Sequence, residues 1–389
     1  MNSNRRHFDL TPETIYAPVE KWDYLLCIVQ DYEKLNLSKV YGCDGGIDMK
    51  GLIGLLVLAI FGCNNKMDSS TKKEVLQVQG RFLMSPCNEK IILKGVNEMF
   101  IWSNDKTGDK ILPEIAKTGA NSVRLVWNTK GTAKDLDNLI SNCIALNMIP
   151  IPELHDATGK IELVPDLIDY WVSDSVQKVI KKHESYLILN IANEAGDHSV
   201  KDDLFLNTYK NAITRIRATG YQVPLMIDAA GWGKNTDILQ STWKELMAHD
   251  LNRNLLFSVH TWWPKTETSN DPGSTKKVVQ EIQESVEMGM PLVVAEFAPM
   301  GPGCKQYFDY KTLIKECYDN EIGWLSWSWG HVKNGDCSYM DMTNDGVYGN
   351  WQHTPENENW GEIAAVTHKY SIKNTAVKSN YILNGAMCQ

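Results

Sequence analysis

The stretches LNIANE (residues 189–194) and LVVAEF (residues 292–297) decide the fold of this chain. Each is a short apolar run with strand character, and each brings a carboxylate, Glu194 or Glu296, to its end. Such a run predicts a strand buried on both faces, as in a parallel sheet covered by helices. In a barrel of parallel strands, the carboxyl ends of the strands form the rim that holds the active site. We therefore expect both glutamates at one barrel mouth.

The rest of the chain repeats this strand-then-helix pattern. We predict strands at residues 92–96, 121–127, 148–154, 186–192, 223–228, 254–260, 291–297 and 322–328, with helices between them. Eight such units predict parallel pairing through right-handed crossovers and an α/β fold of one catalytic domain, the closed (β/α)8 TIM barrel. Residues 75–84 alternate around Gly80 and predict a β-hairpin that closes the bottom of the barrel.

The composition fits one large domain that acts on an uncharged substrate. The 389 residues, 43% of them hydrophobic, suffice for a barrel of roughly 250 residues with extensions. The net charge of −9 argues against a nucleic-acid partner, because such proteins cluster Lys and Arg on one face. Thirteen Trp offer flat faces for stacking on sugars, although core packing is the ordinary use of this side chain.

Motifs for cofactors and metals are missing from the sequence. The glycine-rich fragments at 231–233 and 301–303 lack the spacing of a dinucleotide or phosphate loop and predict turns. No CxxC pair and no HExxH motif is present, which argues against a zinc site. We therefore expect neither a cofactor nor a metal.

The N-terminal part of the sequence contains targeting information. Met49 and Lys50 precede an apolar run, residues 51–61, that is too short to span a bilayer but suits a signal sequence. Gly62 directly before Cys63 resembles a bacterial lipobox, in which the cysteine is lipidated and becomes the mature N-terminus; a buried apolar helix is the alternative. The expected organisation is an upstream start artefact or disordered segment (1–48), a lipoprotein signal peptide (49–63), a linker (64–74) and the catalytic domain (75–389).

This organisation predicts an exported protein, either secreted or held on a bacterial membrane, periplasmic or at the cell surface, only through its lipid anchor. Six cysteines fall in the expected domain: Cys87, Cys143, Cys304, Cys317, Cys337 and Cys388. An exported protein with an even number of cysteines can form disulfides, but their pairing cannot be read from sequence. Cys304 and Cys337 both follow predicted strands on the active face, and we expect them to pair.

Polar and aromatic side chains recur at the carboxyl ends of six predicted strands. One such residue means little, because strand ends are often solvated, but six groups on one rim are hard to explain as packing. Two carboxylates among them suit glycoside hydrolysis, in which one protonates the leaving oxygen and the other attacks the sugar or activates water. The groups are Arg124, His155, Asn193 with Glu194, His260 with Trp262, Glu296, and Trp327.

These groups, in this order, resemble glycoside hydrolase family 5, in the clan of retaining (β/α)8 glycosidases whose glutamates follow strands four and seven. Within the family, the chain is most similar to bacterial endo-β-1,4-mannanases, from about residue 90 to 345. The supporting stretches are TGANSVR (118–124), HDATG (155–159), IANE (191–194), DAAGWG (228–233), FSVH (257–260) and GWLSWSW (323–329).

The resemblance implies roles for the residues at the rim. Glu194 is expected to be the general acid/base, protonated near neutral pH, and Glu296 the nucleophile, with the carboxyl groups about 5–5.5 Å apart. Asn193 would bind the sugar 2-hydroxyl, and Arg124 would keep Glu296 ionised. The other expected substrate contacts are His155 and His260, which position hydroxyls and the acid/base, Trp327 as the platform beneath the sugar at the cleavage site, and Trp102 and Trp232 on flanking sugars.

Some features depart from the family pattern. Ala195 and Gly196 follow the acid/base, where the family usually has Pro or another bulky residue. Trp262 replaces a Tyr whose hydroxyl contacts the nucleophile; an indole N–H can donate the same hydrogen bond but cannot accept one. The loops at 263–275 and 298–310, which would contact sugars around the cut, also differ.

The expected function is a monomeric, retaining, endo-acting β-glycanase, with β-1,4-mannan as the first-choice polysaccharide or oligosaccharide substrate. An endo-β-1,4-glucanase would use the same catalytic residues, because mannose and glucose differ only at C2. A non-catalytic glycan-binding lipoprotein is a further alternative, although two apposed carboxylates are costly to bury in a protein that only binds. A barrel enzyme for phosphorylated metabolites would need a phosphate site after strands seven and eight, where aromatic and acidic residues lie instead.

Overall fold

The computed structural model describes residues 74–264, 273–355 and 358–388. The predicted signal peptide, the lipidation site Cys63 and the segment before them lie outside these residues. Among the described residues, no helix has both the length and the apolar character needed to cross a bilayer.

A small antiparallel sheet precedes the barrel, as the sequence predicts. Gly80 makes the turn of its hairpin with φ of 59°, a left-handed conformation that glycine adopts without strain. Leu83 of this sheet packs in one apolar cluster with the barrel residues Ile151 and Val293, so the sheet covers one end of the barrel core. The strands are β1 (Gln77–Gln79), β2 (Phe82–Met84) and β3 (Lys90–Ile91).

Eight parallel strands close a barrel within the described residues, which confirms the predicted fold class. Each strand pairs with the next one along the chain, and the last pairs with the first. The barrel strands are β4 (Lys94–Glu98), β5 (Ser122–Trp127), β6 (Ile149–Leu154), β7 (Leu189–Asn190), β8 (Leu225–Asp228), β9 (Leu255–His260), β10 (Leu292–Glu296) and β11 (Gly323–Ser326).

The fourth barrel strand differs most from its prediction, because only Leu189–Asn190 of the expected residues 186–192 form β7. The backbone after β7 still bonds its neighbours: the Ile191 N–H donates to the Met226 carbonyl at 3.0 Å. Glu194, however, has φ of 44°, which no strand residue adopts. The strand ends early because this segment turns into the barrel mouth.

Helices follow the barrel strands and cover the sheet. Capping fixes several of their starts; the side chain of Thr132, for example, accepts a hydrogen bond from the Asp135 N–H at the start of the second helix. The helices between strands are α1 (Ile111–Ala116), α2 (Ala133–Ala145), α3 (Val164–Trp171), α4 (Asp174–His183), α5 (Asp202–Ala218), α6 (Thr236–His249), α7 (Gly273–Glu287) and α8 (Tyr310–Asp319). Short helices follow the barrel: α9 (Trp360–Glu362), α10 (Ile372–Thr375) and α11 (Asn380–Leu383).

Two disulfides fasten loops and ends of the described residues. Cys304 and Cys337 are bonded, which confirms the predicted pair and joins the loop after β10 to the loop after β11. Cys87 and Cys388, which are 301 residues apart in sequence, are also bonded. Cys143 and Cys317 are buried free thiols.

Lys94 of β4 is an unusual part of the core, because only 2% of its surface is exposed. Its ammonium group donates to the Ile322 carbonyl at 3.1 Å and lies 5.0 Å from the centre of the Trp324 ring. Burial disfavours the charged amine and lowers the pKa of Lys94 to about 8. A cation held this way destabilises the folded state at neutral pH.

Replacing this cation by an apolar side chain of similar length should therefore stabilise the protein. The lowered pKa corresponds to about 3 kcal/mol, of which about 1 is offset by the lost hydrogen bond, so Lys94→Met should raise the free energy of unfolding at pH 7 by about 2 kcal/mol. The gain should shrink as the pH rises above about 8, because the buried amine is then neutral in the folded protein, and it should reverse by about pH 10.5, the ordinary pKa of a lysine, where only the lost hydrogen bond counts. Denaturant unfolding across this pH range measures it.

The exposed Lys178 of α4 provides the control, since Lys178→Met removes a charge of the same kind from the surface. That variant should change stability by less than about 0.5 kcal/mol. A Lys94→Met protein that is less stable than wild type at pH 7 would contradict the destabilising role of the buried amine.

Candidate active site

Arg124 of β5 lies at the centre of the barrel mouth with none of its surface exposed. A guanidinium group carries five N–H donors in a fixed plane. In this structure all five are used, and each reaches a different residue. The acceptors are Asn190 Oδ1 (2.8 Å), Asn97 Oδ1 (3.1 Å), Glu296 Oε1 (2.8 Å), Asn193 Oδ1 (2.7 Å) and Asp228 Oδ2 (3.0 Å).

Three of these partners, Asn97, Asn190 and Asp228, are missing from the site predicted by sequence, and so is Glu153 of β6. The Glu153 carboxylate accepts from His155 Nδ1 at 2.9 Å. All four side chains are fully buried. Because buried polar groups need hydrogen-bond partners, a polar residue among apolar strand residues could have pointed to Glu153, Asn190 and Asp228. Asn97 lies in a strand that also contains Lys94 and Glu98, so it gives no such signal.

The two predicted catalytic carboxylates face each other across His260. An oxygen of Glu194, an oxygen of Glu296 and a ring nitrogen of His260 all lie within 4.8 Å of one another. His260 Nδ1 is 2.8 Å from Glu194 Oε1 and 3.4 Å from Glu296 Oε2. This close spacing fits a retaining pair, because inverting enzymes separate their carboxyl groups by about 6.5–9.5 Å to admit a water.

Glu194 is held in a strained backbone conformation. Its φ of 44° costs a residue with a side chain about 1–3 kcal/mol, a strain that persists only where the surroundings hold it. Here its N–H donates to Asp228 Oδ2 at 3.2 Å, and its carbonyl accepts from the Gly159 N–H at 2.9 Å. Gly196, with φ of 102°, continues the turn, so the small residues after Glu194 serve a conformation that a bulky residue would strain.

The protonation of the pair follows from its contacts. Burial, the largest cause, and the neighbouring Glu194 raise the pKa of Glu296 to about 7, while His260 and Arg124 act in the opposite direction. Arg124 thus opposes burial without cancelling it, so the prediction that it keeps Glu296 ionised holds only in direction. Arg124 contacts Glu296 directly, whereas His260 is the one charged group in contact with Glu194 among the described residues. We therefore place the negative charge of the pair on Glu296.

Both histidines of the rim have raised pKa values. Burial alone lowers the pKa of a histidine, but the carboxylates outweigh it. For His155 the main opposing group is Glu153. For His260 the opposing groups are Glu296 and Asp228. The neighbouring carboxylates therefore favour the protonated form of both imidazole rings.

Asn193 is oriented by the groups around it. Its Oδ1 accepts from Arg124, which turns its amide nitrogen toward the cleft wall. Nδ2 donates to Thr158 Oγ1 at 2.9 Å and lies 3.4 Å from His155 Nε2. When His155 is protonated, its Nε2 also carries a hydrogen and cannot accept, so the second N–H of the amide remains available to a substrate hydroxyl, as the resemblance implies.

A cleft of about 440 Å³ brings most of the predicted site residues together. The Trp327 and His155 rings stack at 5.7 Å between centroids with planes 20° apart, and Trp102 stands perpendicular to His155 at 5.5 Å. Trp102 is 51% exposed, so its face is open to a ligand. The predicted residues that line the cleft are His155, Glu194, Trp232, Trp262, Glu296 and Trp327.

Trp232 and Trp262 form the other side of the cleft. Trp232 is 38% exposed and packs edge-on against His198 at 4.9 Å. Trp262 packs against Phe308 at 5.6 Å. Among the described residues no hydrogen bond joins the Trp262 indole to Glu296, so Trp262 does not take over the contact that a Tyr makes in the family pattern. Its role here is an aromatic wall.

A larger cavity, of about 600 Å³, lies beside this site between the loops that follow β6 and β7 and helix α5. Gly159 and Gly196 border it, but neither catalytic glutamate and no aromatic side chain does. Because both predicted catalytic glutamates line the neighbouring cleft, this cavity is not the candidate catalytic centre.

Glu194, His260 and Glu296 are also the group of described residues whose geometry best suits a metal ion. The prediction of no metal stays a prediction. The same atoms already form a hydrogen-bonded unit in which Arg124 supplies a positive charge to Glu296, and this unit accounts for the three side chains without an ion.

Known proteins resemble the chain in both sequence and structure. The sequence model of the cellulase family (glycosyl hydrolase family 5) matches residues 84–333. A mannan endo-1,4-beta-mannosidase of Cellvibrio japonicus is 29% identical over 314 residues, which cover 78% of this chain and 68% of that protein. A mannan endo-1,4-beta-mannosidase of Salipaludibacillus agaradhaerens is 28% identical over 277 residues, 69% of this chain and 85% of that protein.

Among solved structures, the beta-mannanase from Thermomonospora fusca superposes with a TM-score of 0.69 at 25% identity and covers 79% of this chain and 99% of that chain. The family match spans more than half of the sequence and includes both glutamates and Arg124. The chain therefore belongs to glycosyl hydrolase family 5.

Proposed function

We propose that this chain is a retaining, endo-acting β-1,4-mannanase that works by double displacement. The observation that carries the proposal is the pair Glu194 and Glu296, with oxygens within 4.8 Å of each other and Glu296 bonded to Arg124. Similarity to proteins named mannan endo-1,4-beta-mannosidase supports mannan as the substrate. The mannotriose and mannohexaose complexes of the Thermomonospora fusca enzyme lend further support.

In the first step, a carboxylate oxygen of Glu296 attacks the anomeric carbon. As the bond from that carbon to the leaving oxygen breaks, Glu194 gives its proton to the oxygen, and a glycosyl ester on Glu296 remains. In the second step, Glu194 takes a proton from water, which attacks the same carbon and releases the sugar with its original configuration. Both glutamates return to their starting states.

His260 balances the charge during these steps. Its Nδ1 is close to both carboxyl groups, and these neighbours together with Asp228 outweigh burial, raise the pKa of His260 and favour the protonated ring. When Glu194 loses its proton in the first step, the imidazolium faces the new carboxylate at 2.8 Å. Glu296 loses its negative charge to the ester at the same moment, so the cation follows the charge from one carboxyl to the other.

The exposed aromatic residues support endo action. Trp102 and Trp232 are open to solvent, and Trp232 lines the cleft that holds the glutamates, so a long chain has apolar surface to bind beyond the cleaved bond. An endo-β-1,4-glucanase remains the alternative, because a protein of Caldicellulosiruptor saccharolyticus named beta-mannanase/endoglucanase A is 30% identical over 284 residues.

A panel of polysaccharides separates these functions. The purified protein should release reducing ends from linear β-1,4-mannan and glucomannan at least about tenfold faster than from carboxymethylcellulose or mixed-linkage glucan, since recognition of one hydroxyl gives at least that discrimination. Proton NMR of the first product should show the retained β-anomer. Faster release of reducing ends from the glucans would support the endo-β-1,4-glucanase alternative instead.

Glu296→Gln is the control for this panel, because it keeps the shape of the side chain and removes its nucleophile. It should lose on the order of 10³–10⁶-fold in kcat while the thermal unfolding midpoint shows an intact fold. A folded wild-type protein that binds these glycans and cleaves none of them would instead support the non-catalytic alternative.

The acid/base makes a separate prediction about pH. The acid limb of the kcat/KM profile reports ionisation of Glu296 while Glu194 still carries its proton, so Glu194→Gln, which keeps a neutral side chain there, should leave that limb nearly in place. The alkaline limb should disappear, and kcat on mannan should fall about 10²–10⁴-fold. A substrate with an activated aryl leaving group needs no protonation. The rate of its first step should therefore fall less in Glu194→Gln than the rate on mannan does.

The exposed Glu162 provides the matched variant, since Glu162→Gln changes the same functional group outside the cleft. Its pH profile should equal that of wild type. An alkaline limb that persists in Glu194→Gln would refute the assignment of Glu194 as the acid.

We further infer that the protein is exported and lipid-anchored through Cys63. The apolar run at 51–61 and the Gly62–Cys63 junction support this, and the two disulfides fit an oxidising compartment. In a bacterial host, the wild-type protein should incorporate radiolabelled palmitate and partition into detergent, whereas Cys63→Ala should do neither. Asn65→Ala, two residues beyond Cys63, is the control and should behave as wild type. Palmitate label on Cys63→Ala, or no label on the wild-type protein, would contradict lipid anchoring through Cys63.

A further inference from the structure

The indole of Trp327 is hydrogen-bonded to a residue outside the predicted catalytic site. Trp327 Nε1 donates to Asn334 Oδ1 at 2.8 Å. Asn334 lies in the loop after β11, is 9% exposed and lines the cleft beside the platform. A residue so placed either binds the sugar itself or acts through Trp327.

The hydrogen bonds of Asn334 decide between these roles. Its side chain offers one carbonyl oxygen and two N–H donors. The oxygen accepts from Trp327, and the amide nitrogen donates to Ser328 Oγ at 3.0 Å and to Asp341 Oδ1 at 2.5 Å. Both amide donors and the bond to the indole are thus in use inside the protein. Asn334 therefore acts through the tryptophan.

Asp341 holds Asn334 in turn. Its Oδ1 accepts from the Asn334 backbone N–H at 3.2 Å as well as from the side chain, so both parts of Asn334 are fixed by one oxygen. Asp341 is fully buried, and its other oxygen has only Lys333, 3.8 Å away, as a charged neighbour. A buried carboxylate with so little compensation is costly. An apolar residue would fill this space at lower cost but would leave the Asn334 amide free to turn.

The loop itself is fastened at both ends. The Ser328 N–H donates to the Met340 carbonyl at 3.0 Å, and the Met342 N–H donates to the Ser328 carbonyl at 2.8 Å. Between these bonds, Cys337 is tied to Cys304 of the loop after the nucleophile strand. The backbone of Asn334 is therefore positioned relative to both the platform and Glu296.

We propose that Asn334 and Asp341 are positioning residues that fix the plane of the Trp327 indole beneath the sugar at the cleavage site. This rests on the proposed hydrolase function but not on which glycan is cleaved. Loss of the indole hydrogen bond lets the ring rotate, and the sugar then loses its alignment with the nucleophile Glu296. Small misalignments of this kind reduce turnover strongly.

A double-mutant cycle tests whether Asn334 acts through Trp327. Asn334→Ala should lower kcat/KM about tenfold, the equivalent of one hydrogen bond. Trp327→Phe removes the indole N–H, so adding Asn334→Ala to it should cost less than about twofold more. An equal loss in both backgrounds would show that Asn334 works independently of the indole and would overturn the proposal.

Exchanging the two side chains tests the pair. Asn334→Asp places two carboxylates side by side and should lower kcat/KM at least as much as Asn334→Ala. In the double variant Asn334→Asp with Asp341→Asn, the new carboxylate can still accept from the indole, and the new amide can donate to it. This variant should recover most of the lost activity. If kcat/KM does not recover although the thermal unfolding midpoint is restored, the result contradicts the positioning of Trp327 by Asn334 and Asp341.

A measurement without substrate distinguishes failure of the positioning role from failure of the proposed hydrolase function. In ¹H–¹⁵N NMR spectra, the indole N–H signal of Trp327, identified by its loss in Trp327→Phe, should shift upfield in Asn334→Ala. It should stay in place in Asn138→Ala, a variant of an exposed residue of α2. An unmoved signal in Asn334→Ala overturns the positioning role even if the enzyme is active. A shifted signal in a protein that cleaves no glycan would leave the positioning intact and defeat the hydrolase instead.

Discussion

One buried cation organises the active site of this barrel. Arg124 donates all five of its hydrogen bonds to side chains from four other strands and from the turn after β7. The rim therefore cannot shift without breaking hydrogen bonds to this guanidinium. The carboxyl groups of Glu153, Asp228 and Glu296 all form ion pairs with this guanidinium, and they offset the cost of burying its charge.

The catalytic geometry depends on strain held in place by this network. Glu194 leaves its strand in a left-handed conformation, and Asp228 holds its backbone while also binding Arg124. The same carboxylate thus fixes both Glu194, the proposed acid/base, and the cation beside Glu296. On the opposite wall, Asn334 and Asp341 form a separate network around Trp327. One network sets the charges, and the other sets the surface on which the sugar lies.

The sequence predicts the barrel well because apolar strands and helices have clear periodic patterns. It also predicts Glu194 and Glu296, because each ends an apolar run. It could not predict the partners of Arg124, since a single Asn or Asp inside a strand has no pattern that names its partner across the barrel. Distance in sequence hides the bond between Cys87 and Cys388 for the same reason. Trp262 shows the limit of resemblance, because its surroundings, not its position in a motif, decide its contacts.

The central claim is that Glu296 carries the covalent intermediate. The most direct test treats the protein with a 2-deoxy-2-fluoro-β-glycosyl fluoride of the configuration that it cleaves fastest, which forms the ester readily and hydrolyses it slowly. Mass spectrometry of the intact protein and of its peptides then locates the sugar. We expect one added glycosyl group, on the peptide that contains Glu296. A label on Glu194, or turnover of the reagent with no labelled protein at any time, would contradict the account.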